Sequence, residues 1–588
     1  MTALVDIEGT FDTIIVGAGA AGCVLAGRLS ESADKRILLI EAGPDAPPEK
    51  EHPDIRDPYP LSLGNMRFFW PNLIAETGVD PGNGKPRTSR HYLQGYGVGG
   101  GSNINGMNAF RGQPADYDKW KSDGAEGWGW NDVLPYFKKL EHDLDFSGPL
   151  HGGAGPIPIR RVKSADWAPF SKAVGNAIVR RGYKAFDDYN AEFEDGLSAM
   201  PISSLPDRRV SSSMGYLTLA VRRRSNLAIL PGAFAERIAF ENRRAVGVVA
   251  RVDGACRQIA ARETIVSCGA LYSPALLMRS GVGPAEMLKA ASVDVVAPLP
   301  GVGLNLQNHP QLVLAAYLPR SSMQPRSQRA IGQNCLRYSS GMEGCAEHDM
   351  GMATINKTSW HALGKRIGAI APCLYEPHSR GRVEIVGNEA AAPPRVYFNL
   401  LSDERDFARM VGGLRFALKL LADPEVARAR RDVFLPNAKS VGDLNRRSQW
   451  NGFQSLGAVG LFESAMIRRA FLKGSILDID ALSKNEQALN DFVRQRTGIS
   501  HHVSCTLKIG RSGDPLAVVD SKCRVRGVDG LRVVDPSVFP TIPRAGMHIP
   551  VLMAAEKMAD QIKADWREAT SATVVRSTER SLIAGDAR

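Results

Sequence analysis

The spacing of apolar and polar residues changes along the chain, and the changes mark its elements. Thr13 to Val16 (TIIV) is a short β-branched run, the pattern of a strand buried on both faces. The turn GAGAAG, Gly17 to Gly22, leads into the helical pattern CVLAGRLSE, and a second apolar run, RILLIE, ends on Glu41. Strand, helix and strand in this order predict a βαβ unit in a parallel sheet. From Ala42 to Arg90 proline, glycine and charge predict loops, and a glycine-dense stretch follows at Gly95 to Gly112. Trp128 to Glu141 reads as helix. Residues 220 to 270 alternate and predict a β-meander, after which ETIVSCGA reads as a further buried strand entering a turn. Residues 311 to 495 mix strand-like GRVEIV with helical ERDFARMVGGLRFALKLLADP. A closing helix is expected from about Pro550 to Trp566, before a polar tail of about 20 residues expected to be disordered.

Gly17, Gly19 and Gly22 fit G-x-G-x-x-G. The first glycine makes the tight turn, the second lets a pyrophosphate approach the backbone, and the third lets helix and strand pack closely. The helix N-terminus then presents free N–H donors and a positive dipole end to the phosphates. Glu41 stands 19 residues after Gly22 at the end of the second strand, where an acid accepts hydrogen bonds from ribose hydroxyls. The unit predicts dinucleotide binding. It does not separate NAD from FAD, and the acid argues against NADP, whose phosphate it would repel.

Composition narrows the class. The 588 residues are 44% hydrophobic and 23% charged, values of an ordinary globular protein with one large composite fold or two to three domains. The formal charge of +11, from 73 basic and 62 acidic residues, is read as a solvated basic surface. Arg222, Arg223 and Arg224 cluster without interleaved aromatics, so no nucleic-acid partner is expected. The eight cysteines form no C-x-x-C pair, and no metal site is expected. No apolar run is long enough to span a bilayer, and MTALVDIEGT lacks the marks of a signal peptide. The expected location is the cytoplasm, with peripheral attachment at the inner face of the membrane compatible with it.

Four segments then carry a resemblance: GYGVGGGSNINGMNAFRG (Gly95 to Gly112), GALYSPALLMRSGVGP (Gly269 to Pro284), LPGVGLNLQNHP (Leu299 to Pro310), and the C-terminal run from HHVSCTLKIG through GLRVVDPSVFPTIPRAGMHIPVLMAAEKMADQI. Together they resemble the glucose–methanol–choline oxidoreductases, in particular the bacterial choline dehydrogenase and alcohol dehydrogenase kind. In the third segment relatives usually have Asp-His where this chain has Asn308-His309. The resemblance implies an α/β fold, α+β overall. A Rossmann-like FAD domain would span 1–310 with 496–566, and a substrate domain on an antiparallel sheet would span 311–495. Parts of 60–90 and 150–215 would cover the substrate side, and 567–588 would form the polar tail. It implies FAD held by Gly17, Gly19, Ala20, Gly22, Glu41, Gly99, Gly100, Ser102, Asn105, Gly106, Ala235, Asp535, Pro536, His548 and Pro550. Some relatives tether FAD through a histidine in the glycine-rich loop. The matching position here is Ile104, so non-covalent FAD is expected.

The same resemblance implies the chemistry. A histidine four residues before a threonine matches His502 and Thr506, with His501 at a position usually aromatic. His502 would accept the hydroxyl proton of an alcohol, hydride would pass to flavin N5, and oxygen or a quinone-like acceptor would reoxidise the flavin. The family's second active-site residue, His or Asn, lies eleven positions after the aspartate of LRVVD. From Asp535 that count reaches Gly546. Three explanations stand: His548 takes the second role, His502 works alone, or Gly546 opens space for a bulkier substrate or other chemistry. A flavin-dependent lyase or light-driven decarboxylase is the alternative within the family. A flavoprotein without turnover, or a subunit that needs a partner, is the alternative outside enzymes.

Overall fold

A computed structural model describes residues 7–78, 89–436 and 443–585, with side chains through 571. The first sheet has seven strands. Thr10–Val16 lies parallel between Ile37–Glu41 and Ala255–Val266, and Leu227–Pro231 continues the sheet beyond Ile37–Glu41. Helix Ala20–Leu29 links the first two strands, as the βαβ pattern requires. The meander is present as Phe234–Glu241, Arg244–Val252 and Ala255–Val266. ETIV is not a separate strand: it is the far half of the 12-residue strand Ala255–Val266. That strand pairs antiparallel with Arg244–Val252 through its first half and parallel with Leu531–Val533 through its last three residues.

This register positions the site. Val16 is opposite Ile40 and Val266, and Val266 is opposite Val533. Four parallel strands therefore stop at one level, and the turns at Gly17, Glu41, Ser267 and Val534 converge in the crevice beyond their carboxyl ends, where open α/β sheets bind ligands.

The second sheet has nine strands. It runs from Val433–Phe434 through Leu314–Tyr317, Ile367–Leu374, Met350–Ile355 and Gly332–Tyr338 in antiparallel order. It continues into Gly196–Ala199 and Lys184–Phe186, which precede residue 311 in the chain. Pro310–Gln311 pairs with Gly498–Ile499 and brings the segment before His502 to this sheet. The part of 60–90 at 79–88 lies outside the described residues.

The closing helix runs from His548 to Gly585, well past Trp566 and through most of the expected tail, of which 586–588 lie outside the described residues. Ion pairs anchor it. The buried Glu556 carboxylate accepts from Arg28 (2.8 Å) and Tyr216 (2.9 Å), with Lys139 at 3.3 Å. Its lone pairs are satisfied on three sides, the condition under which a buried charge is tolerated. No described helix is long and apolar enough to cross a membrane.

Candidate active site

A cavity of about 670 Å³ joins the carboxyl ends of the first sheet to the edge of the second. At the sheet end the three glycines of the G-x-G-x-x-G spacing take different places. Gly17 has φ +98, and a Cβ there would lie 2.5 Å from the Ser267 carbonyl. At Gly22 a Cβ would lie 1.9 Å from the Gly17 carbonyl, so the third glycine serves helix–strand contact and does not line the cavity. Gly19 and Ala20 line it at the helix start, and a Cβ on Gly19 would meet nothing nearer than 3.9 Å. Glu41 is buried, and burial raises its pKa. Its oxygens accept the N–H groups of Ala18 (2.9 Å), Gly43 (2.9 Å) and Gly97 (3.3 Å). A carboxylate offers about four acceptor sites, which leaves room for a ribose hydroxyl.

The glycine-rich loop closes over this turn. Gly99 donates to Ala18 O (2.8 Å) with φ +104 and stays out of the lining. A Cβ on Gly100 would come within 2.8 Å of Gly19 Cα, so the two turns touch backbone to backbone. Gly100, Ser102, Asn105 and Gly106 line the cavity, as does Gly101, where a Cβ would meet no atom within 4 Å. Arg209, which sequence reading missed, supports the loop from behind. It is 1% exposed and donates to Ile55 O, Ser102 O, Asn105 O and Asn105 Oδ1 at 2.6–3.1 Å. Burial pushes its pKa down to about 9.

Ala235, Asp535 and Pro536 form the opposite wall. The Asp535 carboxylate accepts from Gly269 N (2.9 Å), Ser537 N (2.8 Å) and the Ser273 hydroxyl. Pro550 sits inside the closing helix and does not line the cavity, whereas His548 does. This cradle of open glycine backbone beside a helix N-terminus fits the pyrophosphate of FAD. At Ile104 the cavity meets only an aliphatic side chain.

The other end of the cavity brings three histidines together. His501 has φ +59, a left-handed conformation uncommon outside glycine. It presents its ring to the cavity beside Tyr92, with ring centroids 4.9 Å apart. The next residue, His502, donates its backbone N–H to Asn308 Oδ1 (3.0 Å), and its Nδ1 lies 2.9 Å from Nδ1 of the fully buried His309. Burial, then His501, pushes His502 down to about 4, and burial, then His502, pushes His309 well below the ordinary histidine value. Both rings are neutral at pH 7, so one Nδ1 donates and the other accepts. The Tyr375 and Pro543 carbonyls favour a proton on His309, although its Nε2 makes no fully formed hydrogen bond. A proton there leaves His309 Nδ1 as the acceptor and His502 Nε2 with a free lone pair.

That Nε2 faces Gly546, 3.7 Å from where a Cβ on Gly546 would stand. The side chain set against Gly546 is Asn108: its Cβ lies 3.9 Å from the same point, and its Oδ1 is buried without a partner. His548, held down to about 4 by burial and then Arg209, lines the cavity. His309 had a sequence signal, in Asn308-His309 standing where relatives have Asp-His. Asn108 had none beyond its place in the glycine-rich loop.

Comparison with known proteins agrees with this geometry. GMC oxidoreductase family models match residues 11–311 and 377–555. The chain belongs to the GMC oxidoreductases. It is 37% identical to the 5-(hydroxymethyl)furfural oxidase of Methylovorus sp. (strain MP688), over 94% of this chain and 98% of that one. It is 34% identical to the oxygen-dependent choline dehydrogenase of Stenotrophomonas maltophilia (strain K279a), over 94% and 95%. The crystal structure of pyridoxine 4-oxidase from Mesorbium loti superposes with a TM-score of 0.77 at 27% identity, covering 94% of this chain and 99% of that one. Like other GMC enzymes the chain is an FAD-dependent oxidoreductase.

Among the described residues one group has metal-ligand chemistry, Glu141, Asp143 and His151. It is an ion network instead: Arg111 pairs with Glu141, Arg161 with Asp143, and His151 Nε2 with Asp188 at 2.7 Å.

Proposed function

We propose that this GMC enzyme oxidises the hydroxyl of a neutral alcohol, with His502 Nε2 taking the hydroxyl proton. The observation that carries this reading is the His309–His502 contact: with the shared proton on His502 Nδ1, the lone pair of a neutral imidazole is left on Nε2, toward the cavity at Gly546. A base held neutral at working pH is ready to accept that proton. Asn108 stands beside the same space, its Cβ 3.9 Å from where a Cβ on Gly546 would be, and its amide Nδ2 would donate the hydrogen bond to the substrate oxygen that position 546 cannot give. FAD would be held here without a covalent link, because Ile104 offers no nucleophile, and when bound it would supply the hydride acceptor for the carbinol carbon. Oxygen is the favoured final acceptor, since the relatives are named an oxidase and an oxygen-dependent dehydrogenase; a quinone-like carrier is the other.

The cavity favours an uncharged substrate. Its described carboxylates are Glu41 and Asp535, both at the nucleotide end and both engaged by backbone N–H groups. None stands at the histidine end to pair with a quaternary ammonium. Tyr92, Trp360 and Tyr59 contribute ring surface, which suits a hydroxymethyl group on a flat ring, as in 5-(hydroxymethyl)furfural.

The test is anaerobic bleaching of the flavin absorbance by a panel of alcohols, with hydroxymethyl furans and pyridines beside choline. His502→Ala is expected to keep its FAD and to lose bleaching by roughly 10²–10⁴-fold in rate. Undiminished bleaching in that variant overturns the reading.

A further inference from the structure

Helix Gln449–Phe462 is apolar on two faces. One, with Ala458, Val459 and Phe462, packs on a small core around Leu363, Leu444 and Leu472. The other carries Trp450, Phe453, Leu456 and Leu461 at helical spacing, all more than half exposed, Trp450 and Phe453 at 69%. The next helix, Ala465–Phe471, adds Met466 at 77% exposure and Phe471. A helix apolar all round belongs in a core or against lipid. Large apolar side chains grouped on one surface mark an interaction site.

Charge indicates what covers this surface. Of the five cations between 443 and 475, Arg447 pairs with Asp54, and Arg468 and Arg469 pair with Asp432; Arg446 and Lys473 have no ion pair among the described residues, and Glu463 is already paired with Arg366 and Arg320. The loop beneath the helix is tied to it through Ala362 N to Ser455 Oγ (3.2 Å) and carries the exposed Lys365. Burial, and after it Arg329 and Arg326, lowers the pKa of Lys365. Bulky aromatic and aliphatic side chains flanked by arginine and lysine are the makings of a surface that lies in the headgroup region of an anionic membrane.

Position gives the surface a purpose. Trp360 lines the active-site cavity, and its ring lies 3.7 Å from where a Cβ on Gly452 would stand, in the first turn of the exposed helix. Leu63 and Asn445, both exposed, line the same end of the cavity. Met66, half exposed, continues the apolar surface beside Arg446 and Arg447.

We propose that helices Gln449–Phe462 and Ala465–Phe471 dock the enzyme on an anionic lipid bilayer, with the cavity rim at Trp360 set beside the headgroup layer. A second copy is the poorer occupant. A two-fold dimer places a patch against itself, and this one would bring cation rim onto cation rim, a repulsive arrangement.

The test is flotation of the FAD-loaded protein with vesicles of phosphatidylcholine mixed with phosphatidylglycerol, and with vesicles of phosphatidylcholine alone. Wild type is expected to float with the anionic vesicles and roughly tenfold less with the neutral ones. The variant Trp450→Ser/Phe453→Ser/Met466→Ser is expected to stay at the bottom while keeping wild-type flavin content and turnover of a soluble alcohol. A second measurement needs no destabilising change: brominated acyl chains in anionic vesicles should quench wild-type tryptophan fluorescence, and Trp450→Phe should remove most of that quenching. Wild type that fails to float with anionic vesicles, or a triple variant that floats equally well, overturns the proposal. A wild-type dimer that the triple variant converts to monomer, without flotation, overturns it in favour of self-association.

Discussion

The Nδ1 atoms of His309 and His502 lie 2.9 Å apart although the residues are 193 positions apart in sequence. Two neutral rings in this contact share one proton, and the nitrogen that holds it decides whether His502 presents a lone pair or an N–H to the substrate. His309→Ala removes that choice without touching the cavity wall. Flavin reduction by alcohol is expected to slow by roughly 10–100-fold, the usual scale for losing a partner that orients a working histidine, with FAD content unchanged. The pH profile separates orientation from simple damage. His502 is neutral above about 4, so wild-type kcat/KM should stay level from neutral pH down to about 5 and fall below that. Water entering the space left by His309 relieves the burial that lowers this pKa, so the acid limb of the variant should move toward pH 6. An acid limb that stays in place rules out the orienting role.

Asn108 and Gly546 form a complementary pair: a side chain at one position stands where the other has none. If the amide of Asn108 binds the substrate oxygen, Asn108→Ala should lower kcat by roughly 10²-fold, the scale for losing one oxyanion-type donor. A Cβ on Gly546 meets His502 Nε2 at 3.7 Å and Asn108 Cβ at 3.9 Å, ordinary contacts, so Gly546→Asn is expected to fold and bind FAD. The double variant Asn108→Ala/Gly546→Asn should recover part of the lost rate. If it is as slow as Asn108→Ala alone, the two positions do not exchange roles.

The ion network at His151 makes a pH-dependent contribution to stability. Although burial opposes its charge, hydrogen bonds that the ring donates to the carboxylates of Asp143, Asp188 and Glu141 push the pKa of His151 up to about 10. In the unfolded chain it returns to about 6.5. The folded protein therefore holds this proton more tightly, and the stabilisation is complete below pH 6.5 and lost as pH rises toward 10. Thermal denaturation of wild type against His151→Gln should show the largest gap in melting temperature near pH 6 and a gap that narrows steadily by pH 9. A gap independent of pH would falsify the protonated network.

Local rules make half of this site legible. Gly17, Gly19, Gly22 and Glu41 can be singled out by spacing because the βαβ rule is local, although their contacts also reach Ser267, Gly100 and Gly97. His502 is legible because a short motif surrounds it. Where the chemistry depends on a partner from another element, sequence reading stops. His309 can be quoted but not assigned, because the return of the chain at Gly498–Ile499 beside Pro310–Gln311 sets its ring against His502. Arg209 is one of two adjacent arginines in a loop, Arg208 and Arg209, and only the fold shows it beneath Asn105. The sequence pattern ends the closing helix at Trp566 because the later residues are polar, and polarity does not end a helix that lacks a glycine or proline stop. The strand Ala255–Val266 reads as two because its halves have different neighbours, antiparallel and half-exposed at one end, parallel and buried at the other.

Arg209 carries the last prediction. Its guanidinium satisfies four acceptors of the glycine-rich loop and of Ile55. No carboxylate hydrogen-bonds to it among the described residues, and Glu51 and Asp57 only counter its charge from further off. Each acceptor left unsatisfied in a buried position costs about 1–3 kcal/mol. Arg209→Met keeps the length of the side chain but removes every donor. The Ser102–Asn105 turn should then lose its support, and with it the backbone that lines the cavity at Gly101 and Gly106. Arg209→Lys restores the charge but cannot reach four acceptors at once, because a single ammonium lacks the planar fork. Both variants are expected to purify with less flavin than wild type, Arg209→Met the more depleted, and FAD titration of the apoprotein should show weaker binding in the same order. Were charge alone to matter, Arg209→Lys would bind FAD as wild type does. That result would assign Arg209 a purely electrostatic role beside His548, whose pKa it depresses.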